Sequence, residues 1–171
     1  MKALSVEAER PARVYLTGGA TAVLLGWRKS TIDVDIDIVP EQDKLLRSIS
    51  RLKEDLMINV ELASPAHFIP ELPGWKERSV FIAQEGHVGF YHYDFYAQAL
   101  AKIERGHTQD VSDVEQMLQR GLIRPKLLRT LFEEIFESLY RYPAIDPESF
   151  RRAFEETLGA SEEKGMGEAE R

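Results

Sequence analysis

The stretch Val14–Val39, VYLTGGATAVLLGWRKSTIDVDIDIV, decides how this chain is read. A strand over 13–17 runs into Gly18-Gly19, and a short helix follows over 20–27. The return strand over 31–39 then carries Asp33, Asp35 and Asp37 between Ile32, Val34, Ile36 and Ile38. Side chains alternate faces along a strand, so the three carboxylates share one face and the β-branched residues the other. The apolar face belongs to a core. Like charges about 7 Å apart along one face repel, and in a partly desolvated site protonation or a bound cation relieves them. A hard divalent ion such as Mg²⁺ suits such oxygen donors.

Outward from this stretch, Pro40 closes the acidic strand before a helix over 41–55, whose Leu45, Leu46, Ile49, Leu52 and Leu56 fall at helical spacing and cover one side of a sheet. Residues 57–63 read as a third strand with Glu61 in it, followed by a Pro-rich loop, SPAHFIPELPGW. Strands over 79–83 and 88–92 form a hairpin with Gly86 in its turn. From Tyr93 the pattern becomes helical. Asp94 stands as an N-cap for 95–105, and a second helix spans 110–120 with Asp110 and Asp113 in its first turn. Pro125 opens a third helix reaching about residue 141, and Asp146-Pro147 opens a fourth that fades near Gly159. The expected organisation is an α/β core over 1–93, a helical region over 94–158 packed on it, and a charged, Gly-rich tail over 159–171 read as disordered.

Composition narrows the function classes. The 171 residues are 43% hydrophobic and 30% charged, enough for one well-buried core and a small appendage. A net charge of −7 excludes a general nucleic-acid-coating protein, so contact with RNA or DNA is expected to be local and salt-sensitive. With no cysteine, disulfides, thiolate metal sites and thiol catalysis drop out. No apolar run reaches transmembrane length and MKALSVEAER has no cleavable-signal pattern, which makes the cytoplasm the expected location. The four histidines lack a helix-spaced metal pairing, so zinc is not expected.

These residues carry a resemblance. The strand ending in Gly-Gly, the short helix, Arg28-x-Ser30-Thr31-x-Asp33-x-Asp35 and the acidic third strand resemble the nucleotidyltransferase fold of the DNA polymerase β superfamily. More narrowly, the chain is similar to bacterial nucleotidyltransferase-like proteins related to AbiEii toxins, and to a small DUF6036-like group among them. The segment YDFYAQALAKIERGHTQDVSDVEQML adds to the likeness through Lys102, Arg105, Asp110 and Asp113. The resemblance implies a mixed sheet flanked by helices and a Mg²⁺- or Mn²⁺-dependent transfer of a nucleotidyl group from a nucleoside triphosphate to a hydroxyl on RNA, such as tRNA, or on a protein. It implies metal ligands at Asp33, Asp35 and Glu61, and phosphate contacts at Gly18, Gly19, Arg28, Ser30 and Lys102. Asp110 joins the expected catalytic set. A toxin role with a cognate antitoxin or other partner protein follows from the same family likeness.

Plainer readings stand beside each of these. A Gly-Gly step also serves as an ordinary turn, and an acidic strand face also serves as a solvated one. It is their coupling across about a dozen residues that points to a site. Asp37, one repeat further from the turn, is a secondary candidate. Glu61 also fits the polar side of an amphipathic strand, and Lys102 and Asp110 also fit helix-surface charges. Two other functions stay open: a non-catalytic nucleotide-binding or antitoxin-like interaction module, and a small-molecule, aminoglycoside-type nucleotidyltransferase.

Overall fold

A computed structural model describes residues 1–169, with side chains to Ala160. Its elements run α1 (Lys2–Ser5), β1 (Ala12–Thr17), α2 (Gly18–Leu24), β2 (Asp33–Val39), α3 (Asp43–Leu56), β3 (Asn59–Leu62), α4 (Trp75–Arg78), β4 (Val80–Glu85), β5 (Val88–His92), α5 (Phe95–Arg105), α6 (Thr108–Gln119), α7 (Pro125–Phe136) and α8 (Pro147–Ala169). Short 3₁₀ turns at Pro65–His67 and Leu139–Arg141 complete them. The fold is mixed α/β with helices at its C-terminal end. The expected third helix ends at Phe136, with a 3₁₀ turn beyond it. The last helix does not stop at Gly159, since its backbone continues to Ala169. The tail expected to be disordered falls mostly on residues whose side chains lie outside the described set, and residues 170–171 lie outside it altogether.

The chain divides into two compact units, Met1–Ser64 with Gly74–Asp94, and Pro65–Pro73 with Phe95 onward. The first holds a five-stranded sheet of order β3-β2-β1-β5-β4. β1 pairs antiparallel with β2 and parallel with β5, while β2 and β3 run parallel and β4 and β5 antiparallel. Alternation gives this sheet two different faces. Val14, Leu16, Ile36, Ile38, Val88 and Phe90 bury one face against Leu45 and Ile49 of α3, as the helical spacing predicts. The opposite face carries Asp33, Asp35, Asp37, Asn59, Glu61, Arg13, Tyr15 and Tyr91, register partners on neighbouring strands. An aromatic group covers its middle, where Trp75 stacks on Tyr93 at 4.2 Å and meets Tyr15 edge-on at 4.8 Å. Trp75 is thus a core residue, 5% exposed. Asp94 accepts both Nε and Nη2 of Arg78, at 3.0 and 2.7 Å, which ties α4 to the end of β5.

In the second unit, Leu128, Leu131, Phe132 and Ile135 of α7 are buried, and Phe132 stacks on Phe154 of α8 at 4.2 Å. The segment Pro65–Pro73 belongs here, with Ile69 and Leu72 buried and the Tyr142 hydroxyl donating to the Ala66 carbonyl at 3.3 Å.

One buried polar contact holds α2 in the first unit. The Thr21 hydroxyl donates to the Leu16 carbonyl at 3.1 Å, so His92 Nδ1 must be the donor to Thr21 Oγ1 at 3.2 Å. Burial pushes the His92 pKa down from 6.5 to about 4. A base that is harder to protonate folded than unfolded contributes its full stability above the unfolded value, and loses it as pH falls toward the folded one. Stability is therefore expected to drop by up to about 3 kcal/mol between pH 6.5 and 4. Urea unfolding across that window checks this, and His92→Gln should flatten the slope.

Candidate functional site

The site is assembled by strand register. Thr17, the last residue of β1, pairs with Asp35, which brings the Asp35 carboxylate over the start of α2. Gly18 has φ +60°, and a Cβ added there would lie 2.7 Å from Asp35 Oδ2. Only glycine takes that backbone angle without strain and leaves room for the acid. Gly19 is equally constrained, because a Cβ there would meet Thr31 Oγ1 at 2.1 Å and Arg28 Nη1 at 3.4 Å. The Gly-Gly step is thus approached by the chain's own side chains, the acid on one residue and a hydroxyl and a guanidinium on the next. Ser30 is exposed on the same loop. The Thr31 hydroxyl donates to the Asp33 carbonyl at 2.9 Å and so fixes the entry into β2.

The third acid arrives through the parallel pairing of β2 with β3. Asp35 faces Glu61 and Asp33 faces Asn59, all four on one face. Asn59 Nδ2 donates to Asp33 Oδ1 at 2.6 Å and to Glu61 Oε1 at 2.9 Å. The amide therefore bridges two of the three acids. Asp33 and Glu61 are exposed and Asp35 is half-buried. Asp37, opposite Tyr15, stands further along the same strand face. Among the described residues no three His, Cys, Asp or Glu side chains converge closely enough to cage a metal ion. The donor chemistry still suits magnesium, which binds through one or two carboxylates, with water and substrate phosphates completing its shell.

Lys102 and Asp110 lie in the helical unit, in a buried ion cluster. The Lys102 ammonium, 7% exposed, donates to Asp110 Oδ1 at 3.0 Å and Asp113 Oδ2 at 2.7 Å. Arg105 adds two bonds to Asp110, at 2.7 and 2.6 Å. Burial raises the Asp110 pKa, but the hydrogen bonds from Arg105 and Lys102 outweigh it and hold the carboxylate below its ordinary range. Two cations and two anions balance within the cluster, which clamps α5 to α6.

Thr31 stands in the sequence motif without an assigned role, and Asn59 is not singled out from the sequence. Asn59 had a signal, since it stands two positions before Glu61 and so shares its face.

A sheet that carries Gly-Gly at the end of its first strand, two alternating acids on the second and one on the third defines a nucleotidyltransferase-like core. The chain belongs to the family described as a nucleotidyltransferase of unknown function (DUF6036), whose model matches residues 1–158. No curated protein and no solved structure matches it. Among the described residues no helix is long and apolar enough to cross a membrane.

Gly18→Ala should cost about 1–2 kcal/mol from the positive φ alone and push Asp35 off its place. Chemical denaturation measures the first effect, and the Asp35 side-chain carboxyl shift in NMR the second.

Proposed function

We propose that this protein transfers a nucleotidyl group from a nucleoside triphosphate to an acceptor hydroxyl on RNA or protein, with Mg²⁺ or Mn²⁺ as cofactor. The observation that carries the reading is Asp35 seated on Gly18 with Glu61 as its strand neighbour. Asp33 and Asp35 would hold the metal, which when bound neutralises charge on the triphosphate and on the departing pyrophosphate. Asn59 keeps Asp33 and Glu61 at fixed spacing. Glu61 takes the proton of the acceptor hydroxyl as its oxygen bonds to the α-phosphorus and the bond to pyrophosphate breaks. Arg28, whose guanidinium lies beside Gly19, would donate to a phosphate oxygen. Lys102 and Asp110 enter as an internal clamp of the helical unit, because the Lys102 ammonium is already held by two carboxylates.

A second reading, a nucleotide-binding module without turnover, is favoured by the Asn59 bridge, since its amide engages one carboxylate oxygen each of Asp33 and Glu61. Incubation with each labelled triphosphate, Mg²⁺ or Mn²⁺, and bulk tRNA or protein separates the two. Transfer of label that falls by about 10²–10³-fold in Asp35→Ala is the expected result. Transfer that survives Asp35→Ala overturns the enzyme assignment, and nucleotide binding without transfer, unaltered by Asp33→Ala, establishes the module.

A further inference from the structure

The sheet face that carries the acids holds a second feature at the far end of its strands. Arg13 lies four residues before Thr17 on β1, about 13 Å along the strand, and pairs with Val39 where Thr17 pairs with Asp35. There a cavity of about 380 Å³ is lined by Arg13, Tyr15, Lys76, Gln84, His87 and Tyr91, with glycine and proline at its rim. In a chain of net charge −7, this lining contains two permanent cations and a histidine but no carboxylate. Glu77, whose charge acts on Arg13, and Asp37, opposite Tyr15, both stand outside the lining.

The two cations are held by rings instead of by acids. Arg13 sits over the Tyr91 ring at 5.5 Å and Lys76 over the Trp75 ring at 5.3 Å. Neither has an ion-pair partner among the described residues. Gly89, the register partner of Arg13, keeps the floor open, since a Cβ there would come within 2.9 Å of Tyr91 and 3.1 Å of Gln84. Tyr15 contributes a buried hydroxyl at the cavity wall, and its oxygen stabilises the Arg13 guanidinium beside it.

We propose that this cavity is a phosphate-binding site for a nucleotide unit. Two cations on separate elements, with the Tyr15 hydroxyl between them, match an anion that offers several oxygens at once. The volume exceeds what phosphate alone fills, and the Tyr91 face and proline rim suit the attached nucleoside. The phosphate is either that of a free nucleotide or one in a single strand of RNA. The site stands whether or not Asp33 and Asp35 carry a metal.

The test is a titration of the ¹⁵N-labelled full-length protein with inorganic phosphate, AMP and a short single-stranded oligoribonucleotide, followed at the Gly89 amide and the Trp75 indole. Saturable shifts are expected, tightest for AMP if the source is a free nucleotide and for the oligonucleotide if it is a strand. Arg13→Gln and Lys76→Gln should each weaken binding about tenfold. Tyr15→Phe should weaken it severalfold without loss of fold, and Asp35→Asn should leave the Gly89 response in place. The proposal is overturned if no probe produces a saturable shift at millimolar concentration, or if Arg13→Gln and Lys76→Gln bind as the parent does.

Discussion

The antiparallel register that sets Thr17 beside Asp35 is the constraint on which the candidate site depends. Because strand side chains alternate, a slip of one residue would turn Asp33, Asp35 and Asp37 into the core and put Val34, Ile36 and Ile38 in water. Burying three carboxylates would cost far more than the strand pairing returns. The same register delivers Asp35 to the one backbone position, Gly18, that has room for it. Glu61 and Asn59 then follow, since β3 aligns on β2 and not on the turn.

The acids of the candidate site and the ion cluster of the helical unit are treated differently. In the sheet unit Asp33, Asp35, Asp37 and Glu61 remain at least partly in contact with solvent, and the Asn59 amide ties two of them together. In the helical unit Lys102, Asp110 and Asp113 are buried, and each charge is met by a hydrogen-bonded opposite. Buried charge is tolerated only when it is matched in this way, which makes such a cluster fix one packing of α5 on α6. Partly solvated charge keeps its capacity to exchange partners. That difference separates residues suited to meeting a ligand from residues committed to the fold.

Much of this was legible in the sequence, for local reasons. Alternation over 33–39 fixed which face each acid takes, and the spacing of Leu45, Ile49 and Leu52 fixed the covered side of α3. Glycine before a helix, followed by an alternating acidic strand, gave the geometry of the turn. What escaped were contacts between elements distant in the chain. Thr31 against Gly19 depends on how the loop between α2 and β2 folds back, which no periodicity encodes. Lys102 lies on a helix whose charge pattern fits exposure as well as burial, and only the approach of α6 decides between them. The Pro-rich loop conceals two separate assignments, since Pro65–Pro73 goes with the helices while Trp75 goes with the sheet.

That last division has a consequence for the inheritance of the molecule. The path leaves the sheet unit at Ser64, re-enters it at Gly74 and leaves again at Asp94, so β4 and β5 are made after a piece of the helical unit. A single genetic break anywhere in the chain separates some residues from their own unit. Ile69 and Leu72, each 1% exposed, would lose their companions in any fragment that ended with the sheet. The two units therefore cannot be recombined as cassettes in the manner of domains joined by one linker.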